Sequence, residues 1–208
     1  MTTLVVHAPF AGWLGPLDSA PDGAFAEGLV GPGVVIDPTE TRVLAPFDGE
    51  VVGLPASRHA VTLRSPEGVE VLIHVGLDTV GLQGAGFTAH VREGDRVGAG
   101  DLLLSLDLDR IAEGALSLVS PIVAVNGSGA VEPLEPGRPV VAGEPILRIT
   151  PAAAARGAAE GPGLERVLHP DLPQGLHARP AARIVACVRA FHAQVRLRHD
   201  QRETDAAS

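Results

Sequence analysis

The sequence predicts a mainly β protein: a β-sandwich or barrel made of two similar halves over residues 1–150, followed by a partial α+β unit over residues 164–208. Three observations carry this. Twenty-five glycines and 18 prolines punctuate short runs rich in Val, Leu and Ile, the pattern of many brief strands and tight turns. Two segments recur: Ala8-Pro9-Phe10-Ala11-Gly12 as Ala45-Pro46-Phe47-Asp48-Gly49, and Gly94-Asp95-Arg96-Val97-Gly98-Ala99-Gly100 as Gly137-Arg138-Pro139-Val140-Val141-Ala142-Gly143. Residues 151–163 then lose all alternation and read as an Ala/Gly/Pro-rich linker.

The elements follow in order. The Gly94 and Gly137 segments each read as a turn feeding a buried strand, over residues 101–106 and 144–149. Between these strands Asp109 is expected to cap a short helix over residues 110–115. Beyond the linker, residues 164–168 read as a strand and residues 181–193 as a helix with Ile184, Val188 and Phe191 on one stripe. Residues 194–199 alternate as another strand. Forty-five residues from Leu164 to Ser208 are too few for a comfortable independent core, so this unit reads as incomplete.

Composition narrows the function. Residues 1–150 hold 8 Arg against 19 Asp and Glu, a formal −11, which argues against nucleic acid as a partner; residues 151–208 hold 8 Arg against 6 acids, +2. The N-terminus has no signal-peptide pattern and no run approaches membrane-spanning length, so a cytoplasmic protein without direct membrane insertion is expected. The single cysteine, Cys187, excludes an internal disulfide and reads as helix core.

The candidate site lies in a predicted hairpin. Two apolar runs, residues 58–63 with His59 and residues 71–78 with His74, flank Ser65-Pro66-Glu67-Gly68, whose Pro-x-Gly order suits a β-turn. With Pro66 and Glu67 at the tip, His59 falls directly opposite His74. Opposed Cβ atoms lie about 4.5–5.5 Å apart, so the two imidazoles would share a small ligand, a metal ion or a phosphoryl group. Alternation places Ser57, His59 and Val61 on one face with Leu72, His74, Gly76 and Asp78, and turns Ala60, Thr62, Ile73 and Val75 the other way. Neutral imidazole is a nucleophile that can carry a phosphoryl group covalently, and apolar Val61 and Leu72 would slow its hydrolysis.

The run Val71-Leu72-Ile73-His74-Val75-Gly76-Leu77-Asp78-Thr79-Val80, preceded by Ser57-Arg58-His59-Ala60, closely resembles the glucose-type enzyme IIA domain of the bacterial phosphoenolpyruvate:sugar phosphotransferase system. So do Asp22-Gly23-Ala24-Phe25-Ala26-Glu27-Gly28-Leu29-Val30-Gly31 and Ala45-Pro46-Phe47-Asp48-Gly49. The resemblance covers about residues 5–150 and rests on several ordered motifs. It implies a sandwich of duplicated hybrid-motif halves with His74 phosphorylated and His59 supporting it. Ser57 and Asp78 would complete the site, and Asp22, Phe25, Leu72 and Asp78 would face partners. Two positions depart from the family: Ser57 stands where threonine is frequent, and Pro55 replaces a bordering aromatic residue.

Gly175-Leu176-His177-Ala178-Arg179-Pro180-Ala181-Ala182 resembles the histidine-containing phosphocarrier protein, HPr, over the first half of that domain. Pro180 suits a first helical turn, and a phosphate at His177 would meet backbone N–H groups and the Arg179 fork. The family scheme implies transfer from phosphoenolpyruvate through enzyme I and HPr to enzyme IIA, then to a sugar-specific IIB/IIC permease. Arg179 of an HPr would approach Asp22 and Asp78. The 13-residue linker would span roughly 20 Å and give about millimolar effective concentration, enough for transfer within one chain.

Competing readings differ in chemistry. A biotinyl or lipoyl carrier needs a lysine, and the chain has none. A barrel-type zinc peptidase needs a third protein ligand and a His-x-His pair, which His74-Val75-Gly76 does not supply. The remaining rival is a regulatory binding module acting on transporters or metabolic enzymes, with zinc bridged by His59, His74 and a partner's carboxylate. No resident cofactor is expected. His7, His90, His169, His192 and His199 read as structural or exposed.

Overall fold

The computed structural model describes residues 3–125, 129–151, 196–199 and 202–205. An eight-stranded antiparallel sheet runs in the spatial order Arg138–Val140, Gly12–Pro16, Gly33–Pro38, Ser120–Ala124, Glu70–His74, Ala60–Arg64, Gly49–Gly53, Arg96–Val97. Two three-stranded sheets accompany it. One has the order Leu4–His7, Pro145–Pro151, Gly129–Pro133; the other has Arg42–Leu44, Leu102–Leu106, Phe87–Ala89. Leu14, Ile36, Leu63, Ile73 and Ile122 of the large sheet join Val6, Val43, Leu104 and Leu147 of the small ones in a single buried cluster. This is the mainly β sandwich that the punctuation of the sequence predicts.

The sequence echoes are structural equivalents. His7 N–H donates to Pro46 O at 3.0 Å, and Leu44 N–H donates to Pro9 O at 2.8 Å, so the two Ala-Pro-Phe segments bond each other reciprocally. Ala8 N–H binds Glu144 O at 2.7 Å and Ala45 N–H binds Asp101 O at 2.8 Å, which repeats the relation for the second pair of echoes. Phe10 and Phe47 are both buried. Gly12 and Gly49 close each motif where backbone passes: an added Cβ would lie 2.1 Å from Asp37 O in one and 2.5 Å from Arg64 O in the other.

This duplication places an approximate two-fold axis at the centre of the large sheet. Leu14 pairs with Ile36, which pairs with Ser120; equivalently, Val51 pairs with Leu63, which pairs with Val71. Ser120 is therefore the counterpart of Val71, and Val123 that of His74. The Ile122–Ile73 pair at the junction of the halves maps onto itself.

The hairpin register differs from the expected one by a residue. The ladder pairs Ala60 with His74, Val61 with Ile73, Thr62 with Leu72 and Leu63 with Val71. Ser65 N–H donates to Val69 O at 2.8 Å and Gly68 N–H to Ser65 O at 2.9 Å, so Pro66, Glu67 and Gly68 all lie in the loop. Gly68, at φ +85°, adopts the left-handed conformation that closes a three-residue hairpin loop, a geometry open to glycine without a Cβ penalty. In consequence Val61 faces the core with Leu63, Val71 and Ile73, while Ala60 and Thr62 share the His74 face. This reverses the expected orientation of those three.

The outer face of the large sheet carries a second cluster. Ala20, Phe25, Val35, Leu77 and Val123 are buried there, with Leu17, Val30 and Leu72 packed around them. The cover is the segment with the 3-10 turn Leu17–Ser19 and the short helix Gly23–Ala26. Asp22 caps that helix, its Oδ1 accepting from Ala24 N–H at 2.8 Å. The later helix spans Leu108–Ala112 and is capped by Asp107, which accepts from Arg110 N–H at 3.1 Å; Asp109, the expected cap, lies in its first turn.

Arg196–His199 forms a strand, as alternation predicts, and pairs antiparallel with Arg202–Asp205. The expected strand at 164–168, the helix at 181–193, Cys187, His169 and His192 lie outside the described residues. His7 Nδ1 binds Pro46 O and His90 Nε2 binds Ser105 Oγ, consistent with the structural roles expected of them. Among the described residues no helix is long and apolar enough to cross a membrane.

Core and surface positions should respond differently to truncation. Ile73→Ala, at a fully buried position on the junction between halves, is expected to lower unfolding free energy by about 2–5 kcal/mol. Trp13→Ala, at 55% exposure, should change it by no more than about 0.5 kcal/mol, both read from urea denaturation midpoints.

Candidate functional site

His74 ends its strand on the outer face, at the margin of the second cluster. His59 lies just before Ala60, the first residue of the neighbouring strand. Extended alternation would turn consecutive side chains to opposite faces, but the chain departs from it here. Arg58 N–H binds Pro55 O at 2.8 Å, and Arg58 adopts a left-handed φ of +53°. With the strand interrupted, the His59 ring meets His74 despite the shifted register. The ring centroids are 4.8 Å apart with an interplanar angle of 73°, and both residues are 7% exposed.

Each imidazole is held by its Nδ1. His59 Nδ1 is 2.6 Å from Ser57 Oγ, and His74 Nδ1 is 2.7 Å from Gly76 O. A carbonyl oxygen only accepts, so His74 carries its hydrogen on Nδ1 and, in the neutral ring, its lone pair on Nε2. Phe25 packs edge-on against His74 with centroids 5.3 Å apart. The His74 ring thus sits between a second imidazole and an aromatic wall.

The backbone after His74 is fully engaged. Val75 N–H donates to His59 O at 2.8 Å, and Val75 O accepts from Thr79 Oγ1 at 2.8 Å. Gly76 N–H donates to Ser120 Oγ at 3.0 Å, while Gly76 O receives the His74 ring. Leu77 N–H donates to Ser117 O at 2.8 Å, and Leu77 O accepts from Leu116 N–H at 2.9 Å. Gly76 has φ +64°, and an added Cβ would meet Thr79 Cγ2 at 2.9 Å and Ser117 O at 3.0 Å. A glycine is needed on both counts.

The structure brings His74, His59, Ser57 and Phe25 together. Leu72 lies on the same face, half-buried in the second cluster. Asp78 is exposed at the rim, with φ +57°, where it begins the 3-10 turn Thr79–Leu82. Asp22 acts on the site through the helix that it caps, which carries Phe25. His177 and Arg179 lie outside the described residues.

Three supporting groups escape sequence reading: Thr79, Ser120 and the Gly76 carbonyl. Ser120 has a visible signal, a hydroxyl at the head of a strand whose every residue is buried. Among the described residues no group of three or more His, Cys, Asp or Glu side chains is placed to hold a metal ion.

Comparisons with known proteins identify the family. Residues 4–130 match the family described as phosphoenolpyruvate-dependent sugar phosphotransferase system, EIIA 1, and residues 165–208 match the PTS HPr component phosphorylation site. The chain is 45% identical over 122 residues to the PTS system glucose-specific EIIA component of Halalkalibacterium halodurans, covering 59% of this chain and 70% of that protein. The solved structure of glucose permease IIA from Mycoplasma capricolum is similar at a TM-score of 0.68 and 36% identity, over 71% of this chain and 96% of that one.

Adding a methyl group at Gly76 tests how tightly the loop is specified. Gly76→Ala is expected to cost about 1–3 kcal/mol in urea denaturation and to move the His74 ring resonances in NMR spectra. A variant with unchanged stability and unchanged His74 resonances would contradict the described loop.

Proposed function

The chain belongs to the EIIA 1 family of the phosphoenolpyruvate-dependent sugar phosphotransferase system, and from that premise we propose that His74 is the residue that carries the phosphoryl group. A chain of this family is a phosphoryl carrier for sugar uptake and interacts with HPr and a sugar-specific permease. Residues 1–150 form the carrier domain, 151–163 the linker and 164–208 an HPr-like unit with His177 and Arg179 as its transfer residues. The chain works in the cytoplasm, downstream of enzyme I.

The observation that carries the assignment is the His74 Nδ1–H···O=C bond to Gly76 beside a second imidazole. The Nε2 lone pair attacks the phosphorus of a donor phosphohistidine. The P–N bond to the donor breaks as the new one forms, and the donor ring leaves with its electron pair. The Nδ1 proton stays on His74. As the ring becomes cationic, its bond to the Gly76 carbonyl becomes charge-assisted and strengthens, so the product is stabilised without any proton transfer.

His59 has the second role. When Ser57 Oγ–H donates to its Nδ1, its own hydrogen is on Nε2, and during transfer it is donated to an equatorial oxygen of the phosphoryl group in flight. Phe25 and Leu72 shield the phosphohistidine from water. Asp22 and Asp78 lie at the rim for a basic donor such as Arg179 of HPr, where opposite charge speeds encounter. Zinc enters this reading only if a partner supplies a carboxylate, since His59 and His74 provide two of the four ligands of a tetrahedral site.

Incubation with labelled phosphoenolpyruvate, enzyme I and intact HPr should label His74, and His74→Ala should abolish labelling of residues 1–150. Persistence of that label would overturn the assignment. His59→Gln should still accept phosphate but pass it to an enzyme IIB about 10²–10³-fold more slowly, the cost of losing one donor in phosphoryl transfer. Normal onward transfer would remove His59 from the mechanism.

A further inference from the structure

We infer that Ser120 is a positioning residue for phosphoryl transfer, fixing through the Gly76 backbone which nitrogen of His74 is the nucleophile. The inference rests on His74 being the phosphoryl carrier and adds a residue that acts on it without touching it. Ser120 is fully buried at the start of the strand Ser120–Ala124, one strand away from His74 in the sheet. Its hydroxyl has both of its hydrogen-bonding roles assigned. Oγ–H donates to Leu118 O at 2.8 Å, which leaves an oxygen lone pair to accept Gly76 N–H at 3.0 Å.

Two peptide units meet at the Gly76 Cα: the Val75–Gly76 unit, whose N–H Ser120 holds, and the Gly76–Leu77 unit, whose carbonyl receives His74 Nδ1–H. The second unit is fixed at its other end by Leu77 N–H on Ser117 O at 2.8 Å. The Val75 carbonyl is held by Thr79 Oγ1, so with Ser120 on the N–H of the same unit the φ of Gly76, +64°, is fixed between two anchored planes. Release of the N–H would free that torsion and let Gly76 O swing away from His74 Nδ1. It would also remove the preference for the tautomer with its lone pair on Nε2.

The duplicated half supplies a control. At the position equivalent to Ser120 it has Val71, fully buried in the core. The sheet therefore accepts an apolar β-branched side chain there, and packing alone does not call for a hydroxyl. A buried hydroxyl appears in the half where the facing loop orients a histidine. Its counterpart lacks one where the residue equivalent to His74 is Val123.

The test uses the full chain. In the wild type, nitrogen NMR of neutral His74 should show the Nδ1–H tautomer, and the Gly76 amide should be protected from hydrogen exchange; an Nε2–H tautomer or a rapidly exchanging amide would overturn the inference even if every variant misfolds. Ser120→Ala should yield a mixed tautomer and about tenfold slower labelling by phospho-HPr, equivalent to about 1.4 kcal/mol of barrier. Ser120→Thr, which keeps the hydroxyl, should restore the single tautomer and bring the rate to within about threefold of wild type, about 0.7 kcal/mol on the same scale. A folded Ser120→Ala with wild-type tautomer and rate would refute the role. Failure of the carrier assignment looks different: His74→Ala would remain labelled, whatever the tautomer of His74 in the Ser120 variants.

Discussion

The pairing of Glu70–His74 with Ser120–Ala124 is the constraint on which the rest of the molecule depends. It joins the two halves of the sandwich, with Ile73 and Ile122 on the axis that relates them. The same seam brings together the two side chains that bind the Gly76 backbone: His74 leaves one strand as Ser120 enters the other. Burial on the inner face holds the seam, since Ile73 and Ile122 are both inaccessible to solvent. The outer face inherits its geometry from that packing, because neither strand can shift by one residue without turning its core side chains outward.

Much of this was legible in the residues. The two Ala-Pro-Phe segments predicted the duplication, and reciprocal hydrogen bonds between them show why both copies keep the same spacing. The hairpin was legible as a hairpin, but its register was not. Pro66-Glu67 and Pro66-Glu67-Gly68 are both acceptable tips, and the choice turns on Gly68 taking a left-handed conformation that composition permits without requiring. The two histidines nevertheless meet, because Arg58 breaks the alternation just where the register would have separated them. One irregularity offsets the other. Local propensity carries no information about such compensation. The short helix shows the same limit on a smaller scale: Asp107 and Asp109 both satisfy the capping rule, and tertiary context selects the first.

The site was legible as a pair of imidazoles but not as an oriented pair. Residue type and spacing identify His59, His74 and Ser57. They do not say which ring nitrogen is protonated, because that depends on a carbonyl two residues along and on a serine 44 residues further in the chain. The chemistry lies in this second layer. Imidazole is intrinsically able to take a phosphoryl group at either nitrogen, so the protein's contribution is selection and orientation. A bond that begins neutral and becomes charge-assisted on transfer favours the loaded state without demanding that anything move.

The recess around His74 also sets the order of events. The ring, 7% exposed, is enclosed by Phe25 on one side and His59 on another. Under the role proposed for His74, the protein that loads its ring and the one that unloads it need the same approach, and two partners cannot occupy it together. Exchange must then run in a ping-pong cycle, with each visitor leaving before the next arrives. Under that traffic rule throughput depends on how quickly partners depart as much as on how quickly phosphorus moves. Tight binding of either partner would jam the carrier, and weak, fast-reversing contacts across the acidic rim are the arrangement that keeps it running.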